Sequence, residues 1–470
     1  MSGYKNTGYE VVIGLEVHVE LNTATKIFCN CSTEFGAAPN THVCPVCSGM
    51  PGVLPVLNKG VLQRAVAVGL ATNCTITQKC KFDRKNYFYP DLPKAFQTSQ
   101  LYLPICRNGY LEIATAEGAK KVRIHEIHME EDAGKLNHEA QSGSTLIDFN
   151  RCGVPLLEIV SEPDMTCADD VLAYLEKLKS TLEYLNVSDC KMQEGSMRAD
   201  VNLSVRRVGD AELGTRTETK NMNSFKAIAR AIEYEIFRQI ELLEDGGQVL
   251  QETRRWDEEN AHDYRYFPEP DLAPINISDE WLEEIRGTIP ELPDQKQARY
   301  VADYKLSDYD AAQLTRYRKL AEIFESAVQL GAAPKEAANL LIGDCLRLLN
   351  AEGKEAADLT FEPEKLAELL KLVAAGTINK TTAKAVFELI YADNIDPVAY
   401  VKENGLEMVS DDGALDAMID EVIAANPKSV ADYQGGKKAA LGFLVGQIMK
   451  ASKGKADAGK VNAKLREKLD

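Results

Sequence analysis

An alternating strand that runs into four clustered cysteines is the feature that most constrains the fold of this chain. Between Val11 and Leu21 every odd-numbered residue is apolar, and this period of two predicts a half-buried β-strand. Its other face carries Glu16, His18 and Glu20. Two side chains at alternate positions of a strand lie about 7 Å apart on the same face. This face therefore predicts the start of a divalent-metal site, with a solvated strand face as the alternative.

The cysteine spacing favours a zinc site over disulfides. Cys29-x-Cys31 is followed, after twelve residues, by Cys44-Pro-Val-Cys47. The chain has eleven cysteines, an odd number, and its first residues lack the basic-then-apolar pattern of an export signal, so disulfides are not expected. Four thiolates at this spacing are typical of a structural Zn²⁺ site. We predict Cys29, Cys31, Cys44 and Cys47 as ligands, with His42 as a possible substitute.

Composition and length indicate a cytoplasmic protein of several domains. The 470 residues carry a net charge of −18, which argues against a surface that coats nucleic acid generally. No apolar run reaches the 18 or so residues needed to cross a bilayer. Residues 427–470 nevertheless contain ten Lys or Arg against four Asp or Glu. This segment is either a basic contact surface or a solvated terminal helix.

The patterning divides the chain into three predicted domains. Residues 1–292 alternate strand signals, turns and a few helices, and residues 293–405 read as successive helices broken at Gly331, Gly353, Gly376 and Gly405. Residues 406–470 form a predicted small helical tail. In the first domain the helical period appears at Val61–Ala71, Val171–Leu185 and Phe225–Leu243.

Further polar segments could line the same cleft as the first strand. The carboxylates of Glu130, Glu131 and Asp132 are consecutive, and packed acids indicate either a metal or open solvent. Since neighbouring strand residues face opposite ways, at most two of the three can enter one cleft unless a bulge redirects one. Glu158 lies in the apolar strand that begins at Pro155, where a buried carboxylate needs a partner such as a metal.

Two strands offer groups suited to phosphate. From Ser196 to Arg206 the even positions are polar, including Arg198, Asp200 and Asn202, a set that can bind phosphate through Arg and orient a metal or ribose. Residues 216–221 place Glu218 and Lys220 on one face and end at Asn221, before Asn223 and Ser224, which are candidate helix caps. The chain contains no P-loop, dinucleotide-binding glycine motif or nucleophile elbow.

Two aromatic–proline–acid segments resemble each other. One spans residues 86–93 and the other residues 264–272. They could frame opposite walls of one cleft or form two well-packed loops.

The chain resembles the B-subunit family of tRNA-dependent amidotransferases, which make Gln-tRNA(Gln) or Asn-tRNA(Asn) from the mischarged glutamyl or aspartyl species. The matching segments occur in order along nearly the whole chain: Ile13–His18, the cysteine cluster, Asp83–Lys94, Glu130–Lys135, Asp148–Arg151, Pro155–Val160, Gln193–Arg198, Lys220–Phe225, Asp263–Pro268 and Lys437–Gly446.

The resemblance implies an α+β fold whose first domain is a cradle-shaped, mainly antiparallel-sheet catalytic domain with a structural zinc cluster. A helical domain and a small α-helical tail that contacts tRNA would follow. It implies a carbon–nitrogen ligase that phosphorylates the tRNA-linked side-chain carboxylate with Mg-ATP, after which ammonia from a partner amidase displaces phosphate. The implied partners are the A subunit, which is the amidase, the small C subunit of the same heterotrimer, and the mischarged tRNA.

By the resemblance, the catalytic and Mg²⁺-binding positions are Glu16, His18, Glu130 and Glu131, with Glu158 and Glu218 as further Mg²⁺ ligands. The nucleotide contacts are Arg198, Asp200, Asn202, Lys220 and Asn221.

One departure concerns residues 256–263, where the family usually has about a dozen more residues, including a Met-Arg pair. Two alternatives also stay open from the residues alone: a zinc-containing RNA-binding module without catalysis, and a scaffold subunit with a degraded site. The choice between Glu-tRNA(Gln) and Asp-tRNA(Asn) is open as well.

Overall fold

The structure is a computed structural model that describes residues 8–139, 143–251, 253–254, 264–408, 412–452 and 455–469. The chain divides into two units, Met1–Pro293 and Asp294–Asp470. The further division into domains after residues 292 and 405 stays a prediction. The shortened segment at 256–263 lies outside the described residues.

The first unit contains all the described strands. They are β1 (Tyr9–Glu20), β2 (Thr75–Ile76), β3 (Lys79–Cys80), β4 (Asp83–Asn86), β5 (Phe96–Ser99), β6 (Cys106–Thr115), β7 (Gly118–Glu131), β8 (Lys135–Glu139), β9 (Ser144–Asp148), β10 (Pro155–Ser161), β11 (Met197–Arg207), β12 (Thr217–Thr219), β13 (Thr253–Arg254), β14 (Phe267–Pro268) and β15 (Ile275–Asn276). The alternating strands predicted at 11–21 and 196–206 are therefore confirmed as β1 and β11.

An eight-stranded sheet organises this unit, in the order β13-β12-β11-β1-β10-β7-β6-β2. Its neighbours are antiparallel except for the parallel pair β12 and β13. A mainly antiparallel sheet was predicted and is confirmed. A smaller sheet has the order β14-β4-β5, and it brings the two aromatic segments together.

Helices α1 (Lys59–Ala71), α2 (Ala168–Tyr184), α3 (Phe225–Glu244) and α4 (Asp279–Thr288) complete the first unit. The first three occur where the helical period predicted them. At the start of α3 the Ser224 hydroxyl accepts a hydrogen bond from the Ala227 N–H at 3.2 Å, so one of the two candidate caps is confirmed.

One face of the large sheet is apolar and belongs to the core. Ile13, Val17 and Leu203 are at most 1% exposed, and α2 packs against β6 while α3 packs against β11. Each fully buried side chain of this kind contributes about 1.5–3 kcal/mol. Because side chains alternate across a strand, burial of this face turns the even-numbered polar residues of β1 and β11 to the opposite face.

The second unit is helical throughout its described elements. They are α5 (Pro293–Tyr304), α6 (Asp308–Thr315), α7 (Arg318–Gln329), α8 (Pro334–Asn339), α9 (Leu346–Glu352), α10 (Pro363–Ala374), α11 (Lys380–Asp393), α12 (Pro397–Glu403), α13 (Asp412–Ala425), α14 (Pro427–Gln434), α15 (Ala439–Ala451) and α16 (Ala458–Leu469), with a π-helical turn at Leu340–Cys345 and a 3₁₀ turn at Ala356–Asp358.

The four glycines predicted to interrupt these helices all have positive φ, from 54° to 97°. A left-handed residue ends a helix, and glycine adopts this conformation at little steric cost. Toward the end of the chain, Leu415, Leu444 and Leu465 belong to a separate hydrophobic cluster.

No helix in the described parts of the chain is both long and apolar enough to cross a membrane. All eleven cysteines are free thiols.

Candidate active site

Three ligand-type side chains converge at the centre of the polar sheet face. His18 on β1 lies directly opposite Glu158 on β10, with 3.8 Å between the His18 Nε2 and Glu158 Oε1 atoms. Glu130 on β7 completes a group in which each residue offers a ligand atom within 4.8 Å of the others. The Glu130 carboxylate also accepts a hydrogen bond from the Ser99 hydroxyl at 2.5 Å. We call His18, Glu130 and Glu158 the histidine group.

The electrostatics of the histidine group suit a cation. Burial lowers the pKa of His18, which favours the neutral imidazole that ligates metals. Burial and then the charge of Glu130 raise the pKa of Glu158 to about 8. Burial also disfavours the Glu130 carboxylate, but Lys85 and His18 outweigh it and lower its pKa. Two carboxyl groups whose pKa values are driven apart by crowding form a site that a divalent ion would relieve.

A second group lies beside the first, nearer the β12 edge. Glu16, Asp200 and Glu218 each offer an oxygen within 4.8 Å of the others. Glu16 lies opposite Asp200 in the sheet, and the Lys220 ammonium contacts Asp200 at 3.2 Å and Glu218 at 2.9 Å. We call Glu16, Asp200 and Glu218 the acidic group. Three carboxylates against one ammonium leave a net negative charge, and oxygen ligands of this kind suit Mg²⁺.

The predicted phosphate-contacting residues lie around these two groups. Asn202 donates a hydrogen bond from Nδ2 to Glu16 Oε1 at 2.9 Å, while its Oδ1 atom is buried without a partner among the described residues. Arg198 donates from Nη2 to Asp132 Oδ2 at 2.8 Å, and its buried Nε–H has no partner within the same residues. Asn221 has a φ of 65° and, like Lys220, lines the adjoining cavity.

A network behind Arg198 fixes its orientation. Burial opposes the charge of Asp132, but Arg198 and Arg151 outweigh it and lower the Asp132 pKa. The neighbouring Glu20 has its pKa raised to about 8, first by burial and then by Asp132. Arg198 is therefore held by an ionised partner while it lines the cavity.

A cavity of about 890 Å³ is lined by several of these side chains: His18, Glu130, Asp132, Arg151, Arg198, Asp200, Lys220 and Asn221. Its wall includes the two aromatic segments, which lie side by side: the Asn86 N–H donates to the Tyr264 carbonyl at 2.9 Å, and the Tyr87 and Tyr264 rings are 5.7 Å apart. They therefore form one wall and do not face each other across the cleft. Lys85 also lines this cavity.

Glu131 is not brought to either group. Its carboxylate pairs with the Lys94 ammonium and accepts the Thr98 N–H at 2.8 Å. Glu131 and Lys94 line a separate cavity of about 190 Å³ that also reaches Cys29 and Cys47. The alternation of β7 explains this, because Glu130 and Glu131 are consecutive and point to different sides.

The four predicted zinc ligands converge. Cys29, Cys31, Cys44 and Cys47 offer sulfur atoms within 4.8 Å of one another, and the Cys47 Sγ lies 3.8 Å from Cys44 Sγ and 4.0 Å from Cys31 Sγ. Tetrahedral Zn²⁺ with bonds of about 2.3 Å would separate its sulfurs by about 3.8 Å, so the residues fit this ion. His42 is not part of the converging set.

A buried lysine accompanies the cysteine cluster. Lys26 is fully buried, and its ammonium donates to the His42 carbonyl at 2.7 Å and lies 3.5 Å from Cys47 Sγ. The hydrogen bond with Cys29 lowers the pKa of Cys47 to about 4. The same hydrogen bond raises the pKa of Cys29, and burial raises the pKa of Cys31 to about 11. Without a metal, the cluster therefore favours the thiolate, the form that binds zinc, at Cys47.

Sequence reasoning missed Lys85 and Arg151. For Asp200 it left metal or ribose open from the residues, and the resemblance placed it among the nucleotide contacts. Lys85 stands in a strand of only four residues, Asp83–Asn86, too short for its alternation to show which side chain enters a cleft. The roles of Arg151 and Asp200 depend on contacts between residues distant in sequence. Arg151 pairs with Asp132, and Asp200 lies opposite Glu16 on another strand.

Taken together, the fold and site define a protein with an antiparallel sheet whose polar face carries two groups of ligand-type side chains beside a cavity lined by cations. Comparison with known proteins identifies the family. A family model described as the GatB/GatE catalytic domain matches residues 11–283, and one described as a GatB domain matches residues 322–469. The chain belongs to the GatB family.

Several relatives cover almost the whole chain, and each is named as the B subunit of aspartyl/glutamyl-tRNA(Asn/Gln) amidotransferase. Those from Lachnospira eligens and Agathobacter rectalis are 60% and 61% identical, and the one from Carboxydothermus hydrogenoformans is 56% identical. In each case the match covers 98% of this chain and 99% of the relative.

Proposed function

We propose that this chain is the ATP-dependent subunit of a tRNA-dependent amidotransferase. It phosphorylates the side-chain carboxylate of Glu-tRNA(Gln), of Asp-tRNA(Asn) or of both, and ammonia then displaces the phosphate to give the amide. The observation that carries this proposal is that the histidine group and the acidic group lie side by side on one sheet, in a chain of this family. Members of both groups line the same cavity as two cations: His18, Glu130, Asp200, Arg198 and Lys220.

The proposed metal ligands fall into the histidine group and the acidic group, and each group would hold one ion. His18, Glu130 and Glu158 would hold one Mg²⁺, and Glu16, Asp200 and Glu218 a second. When bound, the ions would neutralise charge on the oxygens of the transferring phosphoryl group. Phosphoryl transfer depends on such charge compensation and positioning more than on a protein nucleophile, which agrees with the lack of a nucleophile motif in the sequence.

The remaining polar residues would bind and orient the nucleotide. The Arg198 guanidinium, which lines the cavity, would bind phosphate while Asp132 fixes its orientation. Lys220 would shift from its two carboxylates toward phosphate once a metal takes their charge. Asn202 and Asn221 can bind ribose or phosphate oxygens. Glu131 pairs with Lys94 away from both groups, so its predicted metal role is the least supported of the set.

The proposal includes partners and a location. The A subunit, an amidase, would supply ammonia, and the small C subunit would complete the heterotrimer. The basic segment at 427–470 would contact the tRNA, the cysteine cluster would hold a structural zinc, and the complex would work in the cytoplasm.

The test is substrate-dependent ADP release. The chain is assembled with its amidase and small partner subunits and supplied with Glu-tRNA(Gln) and Mg-ATP without an ammonia donor. We expect ADP release that needs aminoacylated tRNA and falls by about 100-fold or more in Glu158→Gln and Glu218→Gln.

Glu131→Ala tests whether Glu131 is a metal ligand or only the partner of Lys94. If it is a metal ligand, ADP release should fall in Glu131→Ala as much as in Glu158→Gln and Glu218→Gln. Substrate-dependent ADP release that survives both Glu158→Gln and Glu218→Gln would contradict the metal assignment. If the wild-type complex binds the tRNA but releases no ADP, the RNA-binding alternative is favoured.

A further inference from the structure

Lys85 is a cation in the candidate active site that has no ion-pair partner among the described residues. It lies on β4, between Arg84 and Asn86, and lines the large cavity. Arg84, the preceding residue, points to the smaller cavity, as expected for neighbours on one strand. The Lys85 ammonium stands 4.8 Å from the centroid of the Tyr264 ring.

The other cations of the two cavities are already engaged. Arg84 pairs with Glu269 at 2.7 Å and with Asp271 at 2.9 Å, Lys94 pairs with Glu131, and Lys220 pairs with Asp200 and Glu218. For Lys85, the described residues provide neither a hydrogen-bond acceptor within 3.5 Å nor a carboxylate oxygen within 4.0 Å. The charges that act on it most strongly, Glu130 and Glu158 among them, are more distant.

A metal bound by the histidine group would remove the negative charge that now compensates the Lys85 ammonium. Glu130 and Glu158 would then direct their charge to the divalent ion, and the nearby ammonium would face a second cation. A half-buried ammonium under these conditions requires another anion. The cavity has room for a nucleotide, and phosphate oxygens are the strongest acceptors that such a ligand offers.

We propose that Lys85 binds the terminal phosphoryl group of ATP, next to the ion held by the histidine group. This inference rests on the proposed function and adds to it a residue that contacts the group in transfer. The Tyr264 ring holds the ammonium by a cation–π contact until the nucleotide arrives.

The test compares two nucleotides on the assembled complex. Lys85→Met removes the charge and keeps the length of the side chain, while Lys85→Arg keeps a cation. Lys121→Met is the matched control, because Lys121 also stands over a tyrosine, 3.4 Å from the Tyr110 centroid, but does not line the cavity. Calorimetry measures the Kd of each variant for the Mg²⁺ complexes of ADP and of AMP-PNP, a non-hydrolysable ATP analogue.

Lys85→Met should weaken binding of AMP-PNP by about tenfold or more and change ADP binding by less than about twofold. Lys85→Arg should retain most of the AMP-PNP affinity, and Lys121→Met should match the wild type. Thermal unfolding identifies any variant that has lost its fold. If Lys85→Met does not fold, the AMP-PNP and ADP affinities of Lys85→Arg alone test the proposal.

Equal losses for both nucleotides would contradict the proposal, because contact with the terminal phosphoryl group distinguishes them. If Lys85→Met keeps both nucleotide affinities but has a raised KM for aminoacyl-tRNA, Lys85 contacts the acceptor carboxylate. This result would overturn the proposal. If the wild-type complex binds neither nucleotide, the proposed function itself fails and the role of Lys85 fails with it.

Discussion

Single carboxylates decide the chemistry of the candidate site, because each metal group is assembled from different strands. Asp200 shows this well: its place opposite Glu16 makes it a member of the acidic group. Asp200→Asn should therefore raise the Mg²⁺ concentration needed for half-maximal ADP release, by about tenfold or more. The measurement is ADP release titrated with Mg²⁺ at saturating ATP.

Asp164→Asn is the control for this experiment. Asp164 also pairs with a cation, Arg123, at 2.6 Å, but it does not line the cavity. An unchanged Mg²⁺ requirement in Asp200→Asn would remove Asp200 from the metal site and return it to the nucleotide contact predicted from sequence.

Zinc content tests the cysteine cluster residue by residue. The wild-type chain should bind about one zinc ion with its four thiolates, and Cys47→Ser should lose most of it and unfold at a lower temperature. His42→Ala should keep the metal, since His42 lies outside the converging set. Atomic absorption gives the stoichiometry. Cys167→Ser is the control, because Cys167 lies outside the cluster. Full zinc retention in Cys47→Ser would contradict the assignment.

At the scale of elements, a buried carboxylate on α3 anchors the strand that carries Glu218. Glu235 is 3% exposed and accepts hydrogen bonds from the Thr217 hydroxyl of β12 at 2.9 Å and from Arg238 at 2.7 Å. Burial disfavours its charge, but the hydrogen bonds from Arg238 and Gln239 outweigh this and lower the Glu235 pKa.

Glu235→Gln should lower the thermal unfolding midpoint by about 2–6 °C at pH 7. Since the folded pKa is below the ordinary value of 4.5, the charged carboxylate stabilises the fold above that pH, and this stabilisation is lost as the pH falls toward the folded pKa. The difference from wild type should therefore shrink below pH 4.5. The exposed Glu233→Gln is the control, and a constant difference at all pH values would contradict the mechanism.

Elements were easier to predict from sequence than the contacts between them. The strict alternation from Val11 to Leu21 determines which face of β1 is buried, and the same holds for β11. The pairing of Glu16 with Asp200 depends on strand register, and a one-residue slip would turn every side chain to the other face. The sequence therefore predicted most members of both groups but not their division. Alternation already indicated that Glu130 and Glu131 face opposite ways, whereas the resemblance assigned both to the metal site.

At the scale of the whole molecule, the basic tail should control affinity for tRNA. Replacing the exposed Lys438, Lys450 and Lys460 of the predicted tail by Ala should weaken tRNA binding. It should also reduce the slope of log Kd against log salt concentration by about two to three. Filter binding over a salt series measures both, and Lys226→Ala, Lys305→Ala and Lys319→Ala together form a control of equal charge change. An unchanged slope would favour the solvated-helix interpretation of the tail.

The central claim is that a bond forms between the tRNA-linked side-chain carboxylate and the terminal phosphorus of ATP. The most direct measurement uses Glu-tRNA(Gln) in which both side-chain carboxylate oxygens are ¹⁸O, with the assembled complex, Mg-ATP and glutamine. Displacement of the activated carboxylate by ammonia transfers one of its oxygens to phosphate, so mass spectrometry should find one ¹⁸O atom in the inorganic phosphate released per amide formed. Amide formation with unlabelled phosphate would contradict the account.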